Sequence, residues 1–115
     1  MLHLKTVSDK PFDSDGYRLL ATCEWPKGRP QSFADGFNPN LAPPRALYDS
    51  LVSGKTKPED FTKQYQKHLE TFKPRLEKLA MQARDFDITL VTYPDFAGVS
   101  IGRIVFDKIQ PAGKK

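Results

Sequence analysis

Apolar and polar residues alternate along Leu2-His3-Leu4-Lys5-Thr6, the period-two pattern of a half-buried strand, and the run ends on Val7. Pro11, Asp13, Ser14, Asp15 and Gly16 then crowd together, and this density of turn formers predicts a loop. Residues 17–23 read Tyr-Arg-Leu-Leu-Ala-Thr-Cys. Their continuous Leu19-Leu20-Ala21 centre predicts a strand covered on both faces. Trp25-Pro26-Lys27-Gly28-Arg29-Pro30 stops that strand, because proline cannot continue a ladder. Residues 31–43, with Gly36, Pro39 and Pro43, show no period. A loop of this length either carries function or wraps the core.

Helical spacing takes over at Pro44, which suits the first turn of a helix carrying Leu47, Tyr48, Leu51 and Val52 and closed by Ser53-Gly54. Thr56-Lys57-Pro58-Glu59 has the spacing of a capping box. The helix it opens places Phe61, Tyr65, Leu69 and Phe72 on one face. Pro74 ends that helix and starts another with Leu76, Leu79, Ala80 and Ala83. Residues 87–93, rich in β-branched side chains, form the clearest strand. Residues 94–98 read as a turn. In 99–109 the spacing of Ile101, Ile104, Val105 and Ile109 is helical while their type favours a strand; a helix is expected.

The order strand, strand, three helices, strand, helix predicts an α/β domain: a small three-layer, mostly parallel sheet of about three strands with helices packed on it. The helical crossover makes 17–23 and 88–93 parallel and near neighbours, with 2–7 an outer strand. Such a sheet gathers function outside the carboxyl ends of its strands, here at residues 22–28 and 93–98.

A chain of 115 residues fits one domain, expected over 1–110, followed by a flexible basic tail at 111–115. No apolar run approaches the roughly 18 residues of a membrane span, and the first residues lack the pattern of a signal peptide. Cys23 is the single cysteine, so an internal disulfide is excluded and a reducing cytoplasm is the expected compartment. With His3 and His68 far apart, a structural zinc site is not expected, and no cofactor is implied. The net charge of +4 and pI near 9.2 imply a weak, salt-sensitive attraction to polyanions. They do not imply specific nucleic-acid recognition.

The chain has no glycine-rich phosphate loop, nucleophile elbow or His-Glu zinc helix. Cys23 stands at the end of a central strand, where Lys27 or Arg29 could favour a thiolate. An unpaired cysteine is more often a small buried packing residue. Lys27, Arg29 and Arg45 could hold a phosphate or carboxylate, or form a solvated basic loop. Asp95 could move a proton but is better suited to capping a helix. Trp25 could stack on a ligand, yet beside a proline it more often closes a core. His68 lies between Tyr65 and Leu69 and His3 on an outer strand, neither with an evident partner.

Gly16-Tyr17-Arg18-Leu19-Leu20 with Trp25-Pro26-Lys27-Gly28 resembles the YeaO-like branch of the domain of unknown function 488 family. Leu41-Ala42-Pro43, the Phe61 and Tyr65 pair, and Ile88-Thr89-Leu90-Val91 follow the family's order along nearly the whole chain. The family usually carries Asp-Arg after the second strand and His-Asn-His-Ala at the start of the last helix. Thr22 and Cys23 stand in the first place here, and Val99, Ser100, Ile101 and Gly102 in the second. The resemblance therefore implies the family fold with its polar site largely lost.

Two functions remain open. One is binding of a small anionic or nucleotide-like ligand in a cleft lined by Thr22, Cys23, Trp25, Lys27, Arg29, Tyr93, Asp95 and Ser100. The other is an enzyme rebuilt around Cys23, Lys27, Tyr93 and Asp95. The lost polar residues favour the first.

Overall fold

The computed structural model describes residues 1–109. The basic tail expected at 111–115 lies outside them. The chain runs β1 (Leu2–Thr6), β2 (Tyr17–Leu20), β3 (Gly36–Phe37), α1 (Arg45–Val52), α2 (Pro58–Glu70), α3 (Lys73–Asp85), β4 (Ile88–Thr92) and α4 (Ile101–Ile109). The four strands are parallel in the order β1-β4-β2-β3. The α/β reading holds, with one strand more than expected. β2 and β4 are direct parallel neighbours, with Leu19 opposite Leu90, and β1 is an outer strand, as its alternation predicts. β3 escapes sequence reading because a two-residue strand has no period to detect. A Cβ at its Gly36 would meet the Tyr17 hydroxyl, the far end of an exposed side chain that can shift to admit it.

β4 is buried along its whole length, as a central strand with a near-continuous β-branched sequence should be. Its Ile88 and Leu90, with Leu2 and Leu19, face one large core. All four helices feed that core: Leu51 from α1, Phe61, Tyr65 and Leu69 from α2, Leu76 and Leu79 from α3, Ile101 and Val105 from α4. On the opposite face Leu20 and Val91 pack against Phe33, with Val7, Trp25 and Ala34 around them. The third layer is thus built from loop and short 3-10 turns (Asp13–Asp15 and Gln31–Phe33).

That layer is held by a buried carboxylate. Asp15 is 5% exposed. It takes Lys5 Nζ at 2.8 Å and the Phe12 N–H at 3.0 Å, while its main-chain oxygen accepts from Thr89 Oγ1 at 2.7 Å. Burial pushes the Asp15 carboxyl up. The hydrogen bonds from Lys5 and Phe12 and the charges of Lys5 and Arg18 outweigh this and hold it below its ordinary value.

The helix expected over 99–109 forms, and Ile101, Val105 and Ile109 bury one stripe of it. Gly102 lets it sit close to the sheet, since a Cβ would strike Thr92 Oγ1. The expected capping box does not form: the residue before α2 is Lys57, with Pro58 in the first turn and no side-chain cap. Thr56 is drawn away because its N–H donates to the Ser50 carbonyl at 3.1 Å, closing the end of α1 instead.

Candidate functional site

β1, β2 and β4 end together, and beyond their carboxyl ends lies a cleft of about 180 Å³. The loop after β2 forms one wall. Thr22 Oγ1 donates to the Glu24 carbonyl at 2.7 Å, turning the chain out of the ladder. Trp25 Nε1 donates to the Arg29 carbonyl at 2.9 Å and closes the Pro26-Lys27-Gly28 turn. The Trp25 ring meets Phe37 edge-on at 5.8 Å, so it serves packing as well as the cleft.

The floor is an interlock between Cys23 and Tyr93. The Cys23 N–H donates to the Tyr93 hydroxyl at 2.9 Å, and Cys23 Sγ donates to the Pro43 carbonyl at 3.1 Å. Tyr93 stacks on Tyr48 of α1 with centroids 4.2 Å apart. Burial, the Cys23 thiol and Tyr48 push the Tyr93 phenol well above its ordinary value. Burial raises Tyr48 too, with Cys23 and Asp49 adding to it. Both phenols therefore stay protonated near neutral pH.

The rim is charged. Arg45 at the start of α1 meets Glu24 Oε1 at 2.6 Å, and the Glu24 charge raises the guanidinium further above its ordinary value. Lys27 lines the cleft without an ion pair among the described residues, and Asp49 lies on the α1 side. Among the described residues no three His, Cys, Asp or Glu side chains gather as a metal site would require. Among the described residues no helix is long and apolar enough to cross a membrane.

Of the residues singled out in the sequence, Thr22, Cys23, Trp25, Lys27 and Tyr93 share this cleft. Arg29, Asp95 and Ser100 do not line it. Arg29 turns to the far face of the sheet, donating to the Val7 carbonyl at 2.6 Å and lying over the Phe33 ring at 4.8 Å. Phe96 and Val99 exchange backbone hydrogen bonds at 3.0 and 2.8 Å across Ala97 and Gly98, both at positive φ. This tight hairpin leads the chain away, and Ser100 lines a different groove between α2 and α4. Asp95 accepts from Ser100 Oγ at 3.4 Å and lies outside α4, whose preceding residue is Ser100, so it is not the helix cap.

The wall expected from residues 93–100 is supplied instead by Arg45, Tyr48 and Asp49 of α1. Sequence reading assigned Tyr48 to the apolar stripe and Arg45 to the basic loop. The missed signal is their spacing: three residues apart and with Asp49 next to Tyr48, they share one face of the first helical turn. His68 Nε2 lies 2.9 Å from the Asn40 carbonyl and His3 Nε2 lies 3.1 Å from Asp87 Oδ1, both remote from the cleft.

No curated protein and no solved structure matches this chain. A family model described as "Inactive DUF488-N3 subclade" matches residues 1–107. The resemblance to the domain of unknown function 488 family is therefore established, although the match does not name the YeaO-like branch. The chain belongs to the DUF488 family, within the subclade described as inactive.

Proposed function

We propose that this domain binds rather than turns over its ligand, and that the strand-end cleft receives a small anionic group of about phosphate size. The observation that carries this reading is the interlock of Cys23 and Tyr93. The thiol and the Cys23 N–H are spent on Pro43 and Tyr93, at 3.1 and 2.9 Å, so the thiol is tied to a carbonyl rather than free as a nucleophile. Lys27, and Arg45 paired with Glu24, stand at the rim as donors to a charged group, beside the Asp49 carboxylate. The volume of about 180 Å³ is below the roughly 300 Å³ at which pockets begin to enclose drug-sized ligands. A phosphoryl or carboxylate group fits such a space, whereas a whole nucleotide would extend out of it. The subclade's description as inactive agrees with the loss of the family's polar residues at Thr22, Cys23, Val99 and Ile101.

The rebuilt-enzyme reading is weaker, because Asp95, its only carboxylate, does not line the cleft. Calorimetry with inorganic phosphate and a nucleoside monophosphate tests the proposal. Binding on the order of 1 mM, lost in Lys27→Ala and Arg45→Ala, is expected for a shallow charged recess. Turnover of a phosphate ester that is abolished by Cys23→Ser would overturn it.

A further inference from the structure

β1 is an outer strand, with one edge paired to β4 and the other free of any strand. The Met1 carbonyl accepts from the Ile88 N–H at 3.0 Å, and the Val7 N–H donates to the Thr92 carbonyl at 2.9 Å. In a parallel ladder this fixes the phase: odd-numbered residues of β1 bond to β4, and the N–H and C=O groups of Leu2, Leu4 and Thr6 point outward. Thr6 is closed off locally, its N–H donating to Asp9 Oδ2 at 2.8 Å and its carbonyl accepting from the Asp9 N–H at 3.0 Å. The outward backbone groups of Leu2 and Leu4 have no hydrogen-bond partner among the described residues. A groove of about 570 Å³ follows this edge, with Phe12 on one side and Arg103 and Phe106 of α4 on the other.

Edge strands are normally guarded by charges that resist pairing. Here those charges are folded back onto the chain. Lys5 is bonded to Asp15 at 2.8 Å and lies over the Phe12 ring at 4.1 Å. His3 is bonded to Asp87 at 3.1 Å. The edge is therefore left open, and its pattern matches itself. In an antiparallel pairing about a two-fold axis at His3, Leu2 of one copy stands opposite Leu4 of the other. Such a pair exchanges both of its backbone bonds, so all the free groups of Leu2 and Leu4 are satisfied together. The same register sets the partly buried Leu4 side chain against Leu2 of the second copy, an apolar cross-strand contact on the helical side of the sheet.

We propose that the β1 edges of two copies of this chain pair antiparallel about a two-fold axis at His3, joining their sheets into one. A foreign extended peptide could meet the same backbone groups. It would not be bound to the match between Leu2 and Leu4 that makes this edge complementary to itself, and a closed two-fold pairing is the commonest assembly of identical chains.

Sedimentation velocity of the full chain across a concentration series tests this. The expected result is a mass rising to twice that of the monomer, and its loss in His3→Lys. That variant puts a fixed positive charge on each copy and sets the two across the axis, where opposite Cα atoms stand about 4.5 Å apart. Circular dichroism checks that the variant is folded. Should it fail to fold, a second variant decides: His3→Cys is expected to form a reducible cross-linked dimer on mild oxidation, and Ser8→Cys is not. A monomer at every concentration, or cross-linking no greater for His3→Cys than for Ser8→Cys, would overturn the proposal.

Discussion

The Cys23 N–H donates to the Tyr93 hydroxyl at 2.9 Å, joining the loop after β2 to the end of β4 across 70 residues of sequence. Cys23 stands at a position where the resemblance to the family implies a charged residue. Tyr93→Phe removes this bond and leaves the Cys23 N–H without its partner. We expect a loss of about 1 kcal/mol in denaturant unfolding, since the site is half-buried and water reaches part of it. Cys23→Ser keeps a donor to Pro43 and should unfold within about 1 kcal/mol of the parent chain. An alkylation rate for Cys23 in the folded chain close to that of a free thiol in a peptide would contradict the interlock.

Asp15 is the strongest internal electrostatic anchor. Its carboxyl, 5% exposed, holds Lys5 and Phe12 together. Asp15→Asn should cost about 3 kcal/mol, the lower end for breaking a buried pair, because Lys5 keeps some contact with water. The sign with pH follows from the carboxyl being held below its ordinary 3.8. Its contribution is fully present above that value and is lost as pH falls through the lower folded value. Acid unfolding curves should therefore be steeper for the parent chain than for Asp15→Asn. Parallel curves would rule out this role.

Tyr65 is 1% exposed, and its hydroxyl donates to the carbonyl of the fully buried Leu41 at 2.5 Å. Burial, with Cys23 and Tyr93 adding to it, raises its phenol far above the ordinary value, so it stays protonated and donating near neutral pH. Tyr65→Phe should cost about 1–3 kcal/mol by leaving the Leu41 carbonyl unsatisfied. A neutral result by thermal unfolding would mean that water or another donor replaces it.

Gly102→Ala tests the seating of α4. The added Cβ would strike Thr92 Oγ1 and press on Leu4, so α4 must lift from the sheet. We expect about 1–3 kcal/mol of destabilisation, the cost of overpacking, despite the better helix propensity of alanine. Stabilisation would show that α4 can slide along the sheet at little cost.

These tests also mark what could be read from the sequence. The period-two run of β1, the buried Leu19-Leu20 run of β2 and the Phe61, Tyr65, Leu69 stripe each carry a local signal, and each element formed, although β2, expected over 17–23, ends at Leu20. The cleft was legible as a place, since strand ends are set by topology. Its second wall was not. Whether residues 94–100 reach the cleft depends on a two-residue turn at Ala97-Gly98, whose direction no pattern of apolar residues encodes. Arg45 and Tyr48 reach it because of how α1 packs, which is a tertiary fact. The same holds for Thr56, claimed by the Ser50 carbonyl before it can cap α2.

Binding of a small anion in the strand-end cleft is measured by backbone amide NMR during titration with inorganic phosphate at constant ionic strength. Such binding produces saturable shifts confined to residues 23–28 and 45–49, absent in Lys27→Ala. Shifts that do not saturate, or that map to Gly98, Ser100 and Arg103 at the start of α4 instead, would contradict it.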